Sequence, residues 1–264
     1  YFDLAMSYMW GNGVTQGIEK AIEWLEKSAI EANDARAMES LAQILIEHRS
    51  GYLTRVKDLD SIESGVKWRK KAATLNDASA QLNLFVQYYN GDHVSASKTE
   101  AIKWLKASAK NGSLVGQYEL GRQYINGWDV PKDHKKAFAL YNSAAKGGHV
   151  EAIRAVGACY MIGMGVEKNA ASALEWLKRV PDKDSAFLIG AVYMHGGIGV
   201  PQDRDLAEEW FRKSDDPFAM AILPILYLVK KYGAVNLEKG LSLAREVEAN
   251  LEGESRIMVQ TALM

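Results

Sequence analysis

The sequence predicts an all-α solenoid of about seven helix-turn-helix repeats, and two observations predict it. A residue that starts helices stands seven positions before a large apolar anchor at Gly17–Trp24, Ser61–Trp68, Ser97–Trp104, Asp133–Leu140, Asn169–Trp176, Asp203–Trp210 and Asn236–Leu243. Ser, Asp, Asn and Gly are the residues favoured at a helix N-cap. The anchors Trp68, Trp104, Leu140 and Trp176 recur every 36 residues. A fixed period of that size belongs to stacked helical units, each burying its apolar side against its neighbours.

Each repeat opens with a first helix. Its anchor is Leu4, Leu41, Leu84, Leu120, Val156, Ile189 or Leu223, and four residues on comes Tyr8, Leu45, Tyr88, Tyr124, Tyr160, Tyr193 or Tyr227. An i, i+4 pair lies on one helix face. Small residues flank the anchor, such as Ala80, Gly116 and Ala152 before it and Gly121, Gly157 and Gly190 after it. Small beside large lets two helices approach closely. Gly11, Gly91, Gly127, Gly163 and Gly196 then stand where a left-handed residue closes a helix. The second helix carries Ala21, Gly65, Ala101, Ala137, Ala173, Ala207 or Gly240 three residues before its Trp or Leu anchor, which reads as core. Each helix spans about 12–14 residues, and Ser97–Glu100 reads as a capping box. One array over 1–264 is expected, with approximate units 1–33, 34–76, 77–112, 113–148, 149–181, 182–215 and 216–250, and 251–264 a partial or capping helix.

The pattern L-G-x-x-Y-x-x-G-x-x-V followed by A-x-x-W/L-x-x-x-A-A-x-x-G resembles the Sel-one-like repeat, a relative of the tetratricopeptide repeat. The fourth unit carries it most fully, in Leu120-Gly121, Tyr124, Gly127, Val130-Pro131, Asp133, Lys136-Ala137, Ala144-Ala145 and Gly147. The resemblance runs through essentially the whole chain. It implies a right-handed α/α superhelix that works as a non-catalytic scaffold. For the family this means complex assembly, signalling, envelope biogenesis or host interaction in bacteria, or endoplasmic-reticulum quality control in eukaryotes. The short, regular repeats point to a bacterial source. Some bacterial members are cysteine-rich and disulfide-stapled, but Cys159 is the one cysteine here, so no such stapling carries over.

Departures from the pattern mark places of interest. The step from Leu41 to Trp68 is seven residues longer than the usual twenty, which puts an insertion around Arg49–Asp60 with Tyr52 inside it. Such an insertion is either a neutral surface loop or an extension of a binding face. Pro181 and Pro217 sit in shortened links, where the stack is expected to bend. Pro224 and Lys230 degrade the seventh copy, as in a capping repeat. Tyr1 falls inside a repeat, so any targeting segment is expected to lie outside this sequence, and a periplasmic or secreted setting is favoured.

Composition narrows the function classes. With 32 Lys+Arg against 33 Asp+Glu, no global field favours nucleic acid. The run Lys67, Arg69, Lys70, Lys71 reads as a solvated outer face. No apolar run approaches the ~18 residues of a membrane span. The five His are dispersed, and no metal, nucleophile or P-loop pattern occurs, so neither an enzyme nor a cofactor is expected. Gly196–Gly199 follows no strand and reads as a turn, and Cys159 reads as a small buried hydrophobe.

If first helices line the concave side, as in tetratricopeptide arrays, the expected binding residues are Tyr89, Asn90, Tyr118, Arg122, Ile125, Asn126, Arg154 and His195. Tyr52 and Trp128 are candidate rim or loop contacts, because Trp128 occupies a turn where a small residue is expected. The row Met9, Ile46, Tyr89, Ile125, Met161, Met194, Leu228 is either a peptide groove or contact between repeats. Trp10 either packs on a further repeat or binds directly. The expected partner is another protein. Narrower alternatives are an immunity protein that neutralises a secreted antibacterial toxin of the type VI lipase kind, and a glycan or peptidoglycan binder.

Far-ultraviolet circular dichroism should show a helical chain with essentially no sheet. Small-angle scattering should give a radius of gyration above the roughly 18 Å of a compact domain this long. Substantial strand content or a compact particle would refute the repeat reading.

Overall fold

The computed structural model describes residues 1–47 and 62–250. The described residues form fourteen α-helices and no β-strand. The helices are α1 (Phe2–Trp10), α2 (Ile18–Glu31), α3 (Ala35–Glu47), α4 (Ile62–Thr74), α5 (Ala78–Asn90), α6 (Lys98–Lys110) and α7 (Leu114–Asn126). They continue with α8 (His134–Lys146), α9 (Val150–Ile162), α10 (Ala170–Leu177), α11 (Lys183–His195), α12 (Arg204–Ser214), α13 (Pro217–Leu228) and α14 (Leu237–Asn250). Odd-numbered helices are first helices and even-numbered ones second helices. The chain divides into two compact units, Tyr1–Lys132 and a second from Asp133 onward. Within each, every helix packs on its neighbours in sequence, as in a solenoid. Successive first helices also touch, α5 with α7 in the first unit and α9 with α11 in the second.

The caps explain where helices begin. The Asp133 carboxylate accepts the Lys136 N–H at 3.0 Å, the Asn169 side chain that of Ser172 at 2.8 Å, and Asn236 that of Lys239 at 3.0 Å. Asp203 caps α12, and Gly17 caps α2 without a side chain. Ser61 lies outside the described residues. Each satisfied donor is one of the four that a helix start leaves open. Ser97 accepts from the Glu100 N–H at 3.3 Å, but the other arm of the expected capping box is missing. The Ser97 N–H instead donates to the Tyr88 carbonyl at 2.8 Å, and Glu100 pairs with Lys103.

That backbone bond recurs. Gly17 donates to Tyr8, Asn169 to Tyr160, Asp203 to Tyr193 and Asn236 to Tyr227, each at 2.9–3.0 Å. It joins the start of each second helix to the end of its first. After α5 and α9 the chain makes the reversal through a left-handed residue, Gly91 (φ 82°) and Gly163 (φ 81°), whereas α13 ends at Val229 in an extended conformation.

The core differs from expectation at the second helix. The Trp anchors are mostly half-buried at the edge of the core, with Lys71 over Trp68, Lys103 over Trp104 and Lys213 over Trp210. The fully buried residue is the next one along: Leu25, Leu105, Leu177 and Phe211. The flat Trp shields the core and presents its ring to a cation, while the following side chain points inward. Small residues on the first helix receive these side chains. A methyl group on Gly190 would lie 2.6 Å from the Phe211 ring, and one on Gly157 2.6 Å from Leu177. Of the first-helix anchors, Leu41, Leu84, Leu120, Val156, Ile189 and Leu223 are buried, but Leu4 is exposed and Ala5 beside it takes the inner position. Helix α13 starts at Pro217 and runs on through the buried Pro224.

Leu105→Ala should therefore cost about 2–5 kcal/mol, in the range of core truncations. Trp104→Ala should cost less. Urea melts of both variants check the order, and a larger loss for Trp104→Ala would show that the ring, not Leu105, is the core contact.

Candidate functional site

In the first unit, the first-helix face gathers around the end of α7. Trp128 is 55% exposed, in the turn that follows Gly127. The Arg122 guanidinium stands over its ring, 5.7 Å from the centroid, and also contacts Glu119 at 3.2 Å. The turn is pinned from two directions. The Asp129 N–H donates to the Gln123 side chain at 3.3 Å, and the buried Asp129 carboxylate holds Lys98 at 2.9 Å. That bond raises the Lys98 ammonium above the usual lysine range. Lys98 in turn lies 5.8 Å from the ring centre of the exposed Tyr89, which leans on Phe85.

The remaining first-unit candidates fall on the same two helices. Tyr118 and Ile125 are half-buried on α7. Asn90 and Asn126 are exposed, yet their amides are engaged, with Asp92 at 3.1 Å and with the Arg122 carbonyl at 2.9 Å. Tyr52 lies outside the described residues. Lys98, Glu119 and Asp129 were not foreseen as members of this face. Lys98 is one residue past a cap and Asp129 one past a Trp, and no periodic signal ties the two together.

In the second unit, Arg154 is a clamp. Its guanidinium bonds Asp182, the cap of α11, and also approaches Asp184 and Glu151. His195 is exposed at the end of α11, edge-on to Tyr232 with ring centres 5.9 Å apart. Burial, then Lys231 and Lys168, hold its imidazole below the usual histidine range. Of the apolar row, Met194 is buried and Met9 and Met161 pack on core clusters, so these members serve contact between helices.

Reactive chemistry has few footholds here. Burial pushes the Cys159 thiol up to about 11, far from a working nucleophile. The described residues contain no group of three or more His, Cys, Asp or Glu that could hold a metal ion. Tyr227 is buried among Asp205, Glu208 and Lys239, its hydroxyl 2.6 and 2.7 Å from the two carboxylates. Burial and those carboxylates raise its phenol far above the ordinary value, so the group ties α12, α13 and α14 together as a neutral donor. No described helix is long and apolar enough to cross a membrane.

The Sel1 repeat family model matches residues 1–33, 78–113, 114–149, 150–179 and 183–214, well over half of the chain. The chain belongs to the Sel1 repeat family. Among solved structures, it is similar to a protective antigen of uropathogenic Escherichia coli with an SLR fold. Identity is 25% and the TM-score 0.70, over 98% of this chain and 60% of that one, so this chain spans less than two thirds of the antigen. A Sel1 repeat protein from Oxalobacter formigenes is 26% identical with a TM-score of 0.63, over 81% of this chain and 85% of that one. An immunity protein of Pseudomonas aeruginosa is more distant, at 18% identity and a TM-score of 0.42 over 88% and 75% of the two chains. No curated protein matches the chain. Sel1 repeat proteins bind other proteins, and the family is generally a non-catalytic scaffold.

Residues 34–77, which carry α3 and α4, fall between the matched segments of this Sel1 repeat protein. Here Arg69 occupies the inner position that Leu25 and Leu105 fill elsewhere. Lys67, Lys70 and Lys71 are exposed as expected of a solvated face, but Arg69 is only 5% exposed, which corrects that reading for this member. Its guanidinium meets the buried Glu39 carboxylate at 2.9 and 3.0 Å, and the Asn83 amide adds a bond to Glu39 at 2.8 Å. Desolvation outweighs these partners and holds the Glu39 carboxyl above its usual range.

Removing one member of a buried pair strands the other charge. Arg69→Leu alone should therefore cost about 3–5 kcal/mol. Arg69→Leu with Glu39→Met should recover the parent stability or exceed it by about 1–4 kcal/mol. Denaturant melts of the two variants decide it. A double variant as unstable as the single one would show that the ion pair itself stabilises the unit.

Proposed function

We propose that this Sel1 repeat protein is a non-catalytic scaffold that binds a protein partner on the first-helix face of its first unit, centred on Arg122 and Trp128. The observation that carries the reading is the state of Trp128. A large apolar ring stands in solvent on a turn that Gly127, Gln123, Asp129 and Lys98 hold in place. Trp, Tyr and Arg are the residues most enriched in binding hot spots. A ring already held in position loses little freedom on binding. Direct contact between α5 and α7 supports placing the first helices on the inner, concave side of the stack, where one partner meets both.

Neutralisation of a secreted toxin is a narrower form of the same reading, and the identity of the captured partner separates the two. A saccharide is less well served, because Asn90 and Asn126 already engage their amides within the protein.

Affinity capture with the full chain, followed by mass spectrometry, identifies the partner. Arg122→Ala combined with Trp128→Ala should then weaken binding at least tenfold, about 1.4 kcal/mol, with the helical spectrum unchanged. Unchanged affinity would remove this face from the site. Loss only on deleting residues 49–60 would move the contact to that insertion.

A further inference from the structure

The second unit holds a hollow of about 360 Å³, at the small end of ligand sites. Met161 and Ile162 at the end of α9 and Ala191 and Val192 in α11 line it, and Lys168 and His195 stand at its mouth. Ile162 is largely exposed, so the apolar wall is open to an incoming group. Lys168 belongs to the lining, no acidic residue does, and Lys231 lies close enough to act on His195. Neither lysine has a carboxylate partner among the described residues. The backbone that carries Lys231 is tied to the end of α11, since the Gln202 amide donates to the Lys231 carbonyl at 3.2 Å and to that of Met194 at 2.9 Å. Tyr232 brings the same segment against His195.

A ligand matched to this arrangement carries an apolar group and an anion a few bonds apart. We propose that the hollow takes the C-terminal residue of a partner chain, its apolar side chain inside and its free carboxylate on Lys168. A chain end carries both groups on one Cα. The proposal shares with the reading above only the premise that the partner is a protein, and it uses different residues on the other unit.

The test is fluorescence anisotropy of the full chain with a labelled hexapeptide ending in leucine, as the free acid and as the amide. The free acid should bind saturably, at least tenfold more tightly than the amide. Lys168→Glu should weaken it by at least as much, and Ala191→Trp, which fills the hollow, should abolish it. Circular dichroism checks that Ala191→Trp folds. Lys168→Glu alters an exposed side chain and carries the test alone if it does not. Equal binding of acid and amide, or no saturation by about 1 mM peptide, overturns the proposal. So does saturable binding of octanoate where the peptide fails, which would make this a small-carboxylate site. A negative peptide result leaves the Arg122–Trp128 face standing, because that face is tested on the captured partner.

Discussion

The hydrogen bond from the cap N–H of a second helix to the tyrosine carbonyl of its first helix sets the geometry of the repeat. The carbonyl is one of the last four of a helix, which have no partner within it. In α5 the Gln87 carbonyl is taken by the Gly91 and Asp92 N–H groups, and the Tyr88 carbonyl is left for Ser97. The left-handed glycine turns the chain so that the two meet. The cap then works in both directions: its side chain starts the next helix while its N–H closes the last one. Once the two axes are fixed in this way, the inward residues that follow Trp24, Trp104, Trp176 and Trp210 have one place to go, against the small residues of the first helix. Contact stays between near neighbours, as a repeat architecture requires.

The fold was legible because these features depend on backbone needs that few residues meet. A left-handed turn calls for glycine, a cap for Ser, Asp or Asn, and both recur at fixed spacing. The position of the core was less legible. Trp is the most conspicuous residue of the second helix, and its bulk was read as burial. Its ring covers the edge of the core under a lysine, and the plainer Leu or Phe beside it fills the interior. Arg69 was hidden for the opposite reason. Among Lys67, Lys70 and Lys71 it looks like one more solvated charge, and only its offset of one from the Trp shows that it faces inward. Its partner Glu39 lies thirty residues away, on another helix.

The candidate site was legible only in part. Trp128 stood out because it breaks the local pattern. Of the supports that hold it, Gln123 reaches the turn within its own repeat, and Lys98 reaches Asp129 from the repeat before, a pairing with no signature along the chain. Arg154 shows the converse. As an arginine on the first-helix ridge it was expected to face a partner, and it clamps the cap of the next first helix instead. A ridge position shows that a side chain can reach solvent, but nearby carboxylates decide whether it remains there.

Cys159 has a use that follows from its isolation. It is the single sulfhydryl of the chain, buried in α9, with a thiol pushed up to about 11. A thiol reagent in solution meets it only when α9 opens, and no other group answers. Its labelling rate is thus a clock for local opening of the second unit. That clock would slow when any ligand holds α9 and α11 together.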